Sequence, residues 1–195
     1  MTLTADAIAQ YMFEIRLQAA MAKRISAQVG PAIQGHPDRF GLYPIPFQAA
    51  QALLTCAAQI SKILSPVEGG YGRTKEQKTF AKERGQKLTT ILDPPKILVD
   101  RFVRNKIEHY DEGLDDILME NPSAHITIMS SVAPDDRPTV VGRMFSHETL
   151  EVVVLNESVD LQEVVNAIAE IDKKAQQWLD DNDRVFGGNT ARHPR

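Results

Sequence analysis

One segment, from about Pro46 to Leu64, is apolar around most of a helical circumference, and it constrains the fold more than any other stretch. Its apolar residues are Phe47, Ala50, Leu53, Leu54, Ala57, Ala58, Ile60, Ile63 and Leu64. A helix that is apolar on so many sides must be covered by other elements. We therefore expect it at the centre of a helical bundle, with Pro66 ending it.

Three further segments have helical periodicity and can surround this central helix. The first runs from about Thr4 to Val29, and Gly30-Pro31 is predicted to end it. The third in chain order, Lys75 to Leu92, is strongly basic. Asp93-Pro94-Pro95 separates it from a fourth helix, which is predicted to run from Pro95 to about Met119. Together with the central segment, these make a bundle of four long helices.

Beyond residue 122 the apolar period changes from that of a helix to that of a strand. Residues 125–129, 139–145 and 150–155 are β-branched and partly alternating. They predict a small antiparallel β-meander, at about 124–155, that covers one side of the bundle. A capping-box-like pattern from Asp160 to Glu163 then opens a C-terminal helix. The fold class is therefore mainly α, of α+β type.

Composition indicates one domain. A length of 195 residues with 43% hydrophobic residues supports a single core, which we assign to residues 1–182, with 183–195 as a flexible tail. The single cysteine, Cys56, allows no internal disulfide and is expected to be buried. With no signal pattern and no apolar run long enough to span a bilayer, we expect a cytoplasmic protein without a membrane partner.

Charge limits the nucleic-acid functions that remain. The net charge of −4 and the pI near 5.7 argue against a general nucleic-acid coat protein, and we expect no DNA binding. Any contact with RNA must then be local. The basic third helix is the most credible surface for attracting phosphate.

The fourth helix carries the most chemically able side chains. A continuous helix would place Val103, Ile107 and Tyr110 towards the core and would present Asn105, His109 and Glu112 on the far side. Arg104, with Glu108 four residues later, is expected on the neighbouring flank, where the pair is ordinarily a surface ion pair. A guanidinium can clamp a phosphate, and a histidine titrates near neutral pH.

The run Arg104-Asn105-Lys106-Ile107-Glu108-His109 resembles the Arg-x(4–6)-His motif of the HEPN superfamily. The longer run through Glu112, with residues 59–64 upstream, resembles uncharacterised bacterial proteins of HEPN type, in which a basic residue often stands where this chain has Gly113. The resemblance implies a helical bundle that pairs through the motif helix as a homodimer. Active members are metal-independent ribonucleases, and inactive relatives bind nucleotides or partner proteins.

The resemblance also implies roles for individual residues. His109 would be the acid or base in attack by the ribose 2′-hydroxyl, Arg104 would clamp the scissile phosphate, and Asn105 would orient one of them. Arg101, Glu108 and Glu112 would be supporting residues. Arg104 and His109 lie 140° apart on one helix, an awkward angle for a single site, and a homodimer relieves it because each subunit can contribute a residue.

Three functions stay open on the sequence. The first is a HEPN-type endoribonuclease in a defence or toxin–antitoxin setting, with an antitoxin as a further partner. The second is a non-catalytic dimeric module that binds a nucleotide or a partner through the same face. The third is a structural bundle without activity. We expect no cofactor and no metal, since the Glu108 and His109 pair is only part of a metal site.

Overall fold

The computed structural model describes residues 3–33, 44–67, 72–124, 127–128, 141–146 and 149–186 and has the predicted mainly helical α+β fold. The helices of this part of the chain are α1 (Ala5–Ile33), α2 (Pro44–Leu64), α3 (Lys75–Leu92), α4 (Lys96–Val99), α5 (Phe102–Glu108), α6 (Tyr110–Glu120) and α7 (Leu161–Phe186). Its strands are β1 (Thr127–Ile128), β2 (Val141–Ser146), β3 (Glu151–Val154) and β4 (Glu157–Asp160).

Helix α2 is central, as its apolar circumference predicts. It packs against α1, α3, α4, α5, α7 and β2. Leu53, Ile60 and Leu64 are almost completely buried, and so is Cys56. The main core joins this helix to α1, α7 and the sheet, so α2 is the element against which the others are placed.

Helix α3 begins and ends where its sequence predicts. Thr74 caps the N-terminus: its hydroxyl accepts a hydrogen bond from the backbone N–H of Gln77, whose side chain accepts one from the N–H of Thr74. Gly85 allows close packing on the end of α2, because a Cβ at this position would lie 2.8 Å from the carbonyl oxygen of Leu64. The end of α2 is thus tightly covered.

The predicted end of α1 at Gly30-Pro31 is wrong, since the helix continues to Ile33. A proline in the last turn of a helix removes one backbone hydrogen bond and leaves the preceding turns intact. The helix therefore tolerates Pro31 near its end.

The predicted continuous fourth helix is also wrong. Asp100 has an extended backbone (φ −63°, ψ 129°) and separates α4 from α5. His109, with φ −115° and ψ 33°, interrupts the helix again between α5 and α6. Angles calculated for a regular helix therefore do not hold across His109, and the predicted alignment of Asn105, His109 and Glu112 on one face loses its basis.

The sheet has the strand order β1-β2-β3-β4, and β2, β3 and β4 form an antiparallel meander. The antiparallel pairing of the second and third predicted strands, here β2 and β3, is confirmed. Two details differ from prediction. Strand β1 pairs with β2 in parallel, and β4 was not predicted. Strand β4 follows a two-residue turn at Leu155 and Asn156, both of which have positive φ. Asparagine is common at such positions, but leucine is not, so the sequence does not indicate a turn here.

The C-terminal helix is longer than predicted. It runs to Phe186, so residues 183–186 belong to the helix rather than to a tail. The rest of the predicted tail, 187–195, lies outside the described residues, as do 125, 126 and 129 of the first predicted strand and 139–140 of the second. None of the helices in the described part of the chain is both long and apolar enough to cross a membrane.

Candidate functional site

Arg104 is buried rather than presented to solvent. Its side chain is only 3% exposed, and Nη1 donates a hydrogen bond of 3.0 Å to the carbonyl oxygen of Ser65, just beyond the end of α2. The sequence predicts a surface position for this residue, on the flank of a solvated face. That prediction is wrong, because α5 packs its Arg104 flank against the end of α2.

Two other arginines bind carbonyl groups at the same helix end. Arg84 donates through Nη2 to the carbonyl oxygen of Lys62 at 3.0 Å and through Nε to that of Ile63 at 3.2 Å. Arg101, half-buried, donates through Nη2 to the carbonyl oxygen of Pro66 at 3.0 Å. The last carbonyls of a helix lack intrahelical donors and carry the negative end of its dipole. Arg84 binds two such carbonyls, and Arg101 and Arg104 bind those of the two residues that follow Leu64. We call the three guanidinium groups the α2 cap.

Burial also has the largest effect on the pKa of Arg104. It lowers the pKa of the guanidinium, as does the neighbouring charge of Arg101, while Glu108 acts in the opposite direction. Nε lies 3.9 Å from Glu108 Oε2, which is too long for a hydrogen bond. Glu108 forms a second ion pair with Lys62 of α2. The expected pairing of Glu108 with Arg104 is thus present but weak.

His109 is exposed, and Glu112 engages one of its ring nitrogens. Nδ1 lies 3.0 Å from Glu112 Oε1, and the imidazole side chain is 52% exposed. A carboxylate accepting from Nδ1–H fixes the tautomer and leaves Nε2 as the nitrogen for proton transfer. The pair has the arrangement of a general base with an orienting carboxylate.

The structure does not unite the predicted site. Within the described residues, no hydrogen bond or ion pair joins Arg104 to His109. Asn105 is exposed, whereas Arg101 and Arg104 point to the end of α2. The six predicted residues therefore divide into an exposed group, Asn105, His109 and Glu112, and a capping group, Arg101 and Arg104, which Glu108 borders.

The helix that follows His109 is strongly acidic. Helix α6 carries five carboxylates and no lysine or arginine, and its acidic residues are exposed: Asp111, Glu112, Asp115, Asp116 and Glu120. On the basic helix α3, Lys75, Lys82 and Lys87 are exposed, but Arg84 is engaged at the end of α2 and stacks on Tyr11, its guanidinium carbon 5.0 Å from the ring centroid. Glu112 thus contacts the imidazole and four more carboxylates lie on the same helix, an unfavourable setting for phosphate.

Two contacts near the site have no counterpart in the sequence-based prediction. The guanidinium carbon of Arg143 lies 3.7 Å from the ring centroid of Tyr110, a cation–π contact that joins α6 to β2. A Cβ on Gly113 would lie 2.4 Å from Leu155 Cδ1. Only the pairing of distant elements creates these contacts, so no local sequence signal indicates them.

A metal centre has no candidate in the part of the chain that the structure describes. There, no group of three or more His, Cys, Asp or Glu side chains is arranged to hold an ion. Comparisons with protein-family models, with curated proteins and with solved structures found no match. The resemblance to HEPN proteins therefore rests only on the sequence runs 104–112 and 59–64.

Proposed function

We propose that this chain is a non-catalytic, HEPN-like helical module that binds a partner protein through the exposed group of Asn105, His109 and Glu112. The burial of Arg104 carries the proposal. In a HEPN-type reaction its guanidinium would clamp the scissile phosphate, yet here it is 3% exposed and bonded to the carbonyl oxygen of Ser65.

Releasing Arg104 would be costly. Among the described residues, Arg104 Nε has no hydrogen-bond partner but is fully buried, so a phosphate could reach the guanidinium only after part of the α2 cap had opened. Opening that withdraws the side chain also breaks the hydrogen bond to Ser65. A charge-assisted hydrogen bond of this kind contributes about 1.5–3 kcal/mol. The burial therefore supports a structural role for Arg104 and leaves the imidazole of His109 without the cation that the reaction requires.

The electrostatics favour a protein partner over RNA or a nucleotide. Five exposed carboxylates on α6 follow His109 directly, and none is balanced by a basic residue of that helix. Binding of a polyanion is driven by Lys and Arg, so these carboxylates oppose it. A protein surface with basic and amide groups would complement the same face.

A second function, the metal-independent endoribonuclease that cleaves by 2′-hydroxyl attack, is favoured by one observation. His109 has Glu112 on Nδ1 and an exposed ring, the arrangement expected of a general acid or base. In this version two copies would pair through the motif helix so that a cation from the second copy replaces Arg104. A toxin–antitoxin setting and an antitoxin partner belong to this version.

One experiment separates the two functions. The purified protein is incubated with total RNA in EDTA, alongside the variants His109→Ala and Asn105→Ala, and fragment ends are analysed for 2′,3′-cyclic phosphate. The partner-binding module predicts no cleavage above that of a no-protein control. Cleavage by the wild type that His109→Ala loses would overturn the proposal and establish the endoribonuclease.

Binding is tested separately by copurification from the host. We expect a stoichiometric protein with the tagged wild type and its loss with Glu112→Lys, which reverses a charge of this surface, or with His109→Ala, which removes the imidazole. Thr90→Lys, at an exposed position of α3, is the control and should retain it. A chain that neither cleaves RNA nor retains a partner would instead be a structural bundle.

A further inference from the structure

The outer face of α1 exposes three large apolar side chains in line. Phe13 is 53% exposed, Leu17 54% and Met21 47%. They are spaced four residues apart and therefore share one side of the helix. The opposite side of α1, which includes Met12 and Ile15, is buried against α2 and α7.

The size of this stripe distinguishes it from scattered surface residues. The described part of the chain has six exposed large hydrophobic side chains, and three of them are in the stripe. An aromatic or large aliphatic side chain has on the order of 200 Å² of surface, so the stripe exposes roughly 300 Å². Contiguous apolar patches of this size are often interaction surfaces.

Charges on the side of the stripe are divided between the two halves of the helix. Asp6 and Glu14 are exposed in the N-terminal half and Arg24 in the C-terminal half, whereas Arg16 pairs with Asp172 of α7. An antiparallel copy of α1 would place the basic half of each helix beside the acidic half of the other. A parallel copy would place like charges together, so the surface is complementary to itself in one direction only.

We propose that this stripe is the interface of a two-fold homodimer in which α1 packs antiparallel against α1 of a second copy. Leu17 lies near the two-fold axis, and Phe13 packs against Met21 of the second copy. Arg24 then lies opposite Gln10 of that copy. Asp6 and Glu14 of the same copy lie about 6 Å from Gln10 along the helix axis, one on each side.

The apolar area predicts a modest affinity. Two stripes together bury roughly 600 Å² of apolar surface, and with flanking polar groups the interface stays in the range of weak or transient complexes. The dimer is therefore dependent on protein concentration. It uses a different helix from the motif and does not depend on whether the motif face is catalytic.

Sedimentation velocity over a hundredfold range of concentration tests the proposal. The wild type should pass from monomer to dimer, and Leu17→Asp should raise the dissociation constant by at least about 100-fold, because the two-fold axis places both carboxylates in the interface. The matched control is Leu118→Asp, the same change on α6, where the side chain is 38% exposed. It should leave dimerisation unchanged.

The outcomes are distinct. A wild type that stays monomeric, or a dimer that survives Leu17→Asp, would overturn the proposal. Loss of the dimer in Leu118→Asp alone would assign dimerisation to the motif helix instead. The far-UV circular dichroism of both variants is measured first, and Leu17→Ala, which removes most of the exposed side chain without adding charge, confirms the effect at reduced size.

Disulfide trapping tests the direction of pairing. Leu17→Cys should form an intermolecular disulfide on oxidation, because residues on a two-fold axis face each other. Arg24→Cys should not, since antiparallel pairing places the two copies of residue 24 about 21 Å apart along the axis. A parallel dimer would crosslink both variants and would refute the antiparallel arrangement. Cys56 is buried and does not interfere.

Discussion

Replacing Arg104 with alanine should destabilise the fold. The change removes a charge-assisted hydrogen bond of 3.0 Å to the carbonyl oxygen of Ser65, for which we assign about 1.5–3 kcal/mol. It also removes a buried aliphatic stem, for which we assign about 1 kcal/mol. Removing a desolvated charge returns part of this energy. We expect a net loss of about 2–3 kcal/mol in the free energy of unfolding.

Urea unfolding measures the loss, with far-UV circular dichroism reporting the helices and fluorescence of Trp178, the single tryptophan, reporting α7. Two controls separate the contributions. Arg104→Met keeps much of the stem and loses the hydrogen bond, so it should recover about 1 kcal/mol of the loss. Arg101→Ala removes a donor that is only half-buried and should cost about 1 kcal/mol.

The opposite result would refute the capping role. If Arg104→Ala changed the unfolding free energy by less than about 0.5 kcal/mol, a value typical of surface substitutions, the guanidinium would contribute nothing to the end of α2. It would then be available for phosphate, and the endoribonuclease would become the better hypothesis.

Three further predictions concern other positions. Thr74→Ala should cost about 1 kcal/mol in urea unfolding, because it removes the α3 capping box, and Thr74→Ser should restore most of it. Gly113→Arg should cost about 1–3 kcal/mol, because its Cβ meets Leu155, and Leu155→Ala should reduce that cost in a double-mutant cycle. Burial raises the pKa of the Cys56 thiol above its ordinary value of 9.0. The stability that the neutral thiol contributes is therefore complete below pH 9.0 and falls as pH rises above it, because the thiol ionises first in the unfolded chain. Cys56→Ala should reduce the fall of the urea midpoint at alkaline pH.

The sequence could predict the elements whose apolar pattern and end signals agree. Asp93-Pro94-Pro95 gave the end of α3, and the apolar circumference of residues 46–64 gave the central position of α2. In these cases local chemistry and tertiary packing favour the same structure. The helical class of the fold follows from them.

The candidate site could be predicted less well, because its residues take their roles from distant elements. Nothing local distinguishes an Arg104 that salt-bridges Glu108 on a surface from one that caps α2 at Ser65. The sequence also does not indicate the helix break at His109, since neither neighbouring residue is a proline or glycine. The parallel pairing of β1 with β2 was also not predictable, because a local apolar pattern does not determine the direction in which two strands pair.

The break at His109 has a consequence for how stability is distributed along the chain. Helix α6 has no buried residue, and one irregular residue joins it to α5, whose Val103 and Arg104 are buried. Amide protons of α6 should therefore exchange with solvent through local opening, at a lower free energy than those of α2. Glu112 belongs to this less protected unit. Each opening of α6 releases the Nδ1 atom of His109 from its carboxylate while the capped end of α2 stays folded.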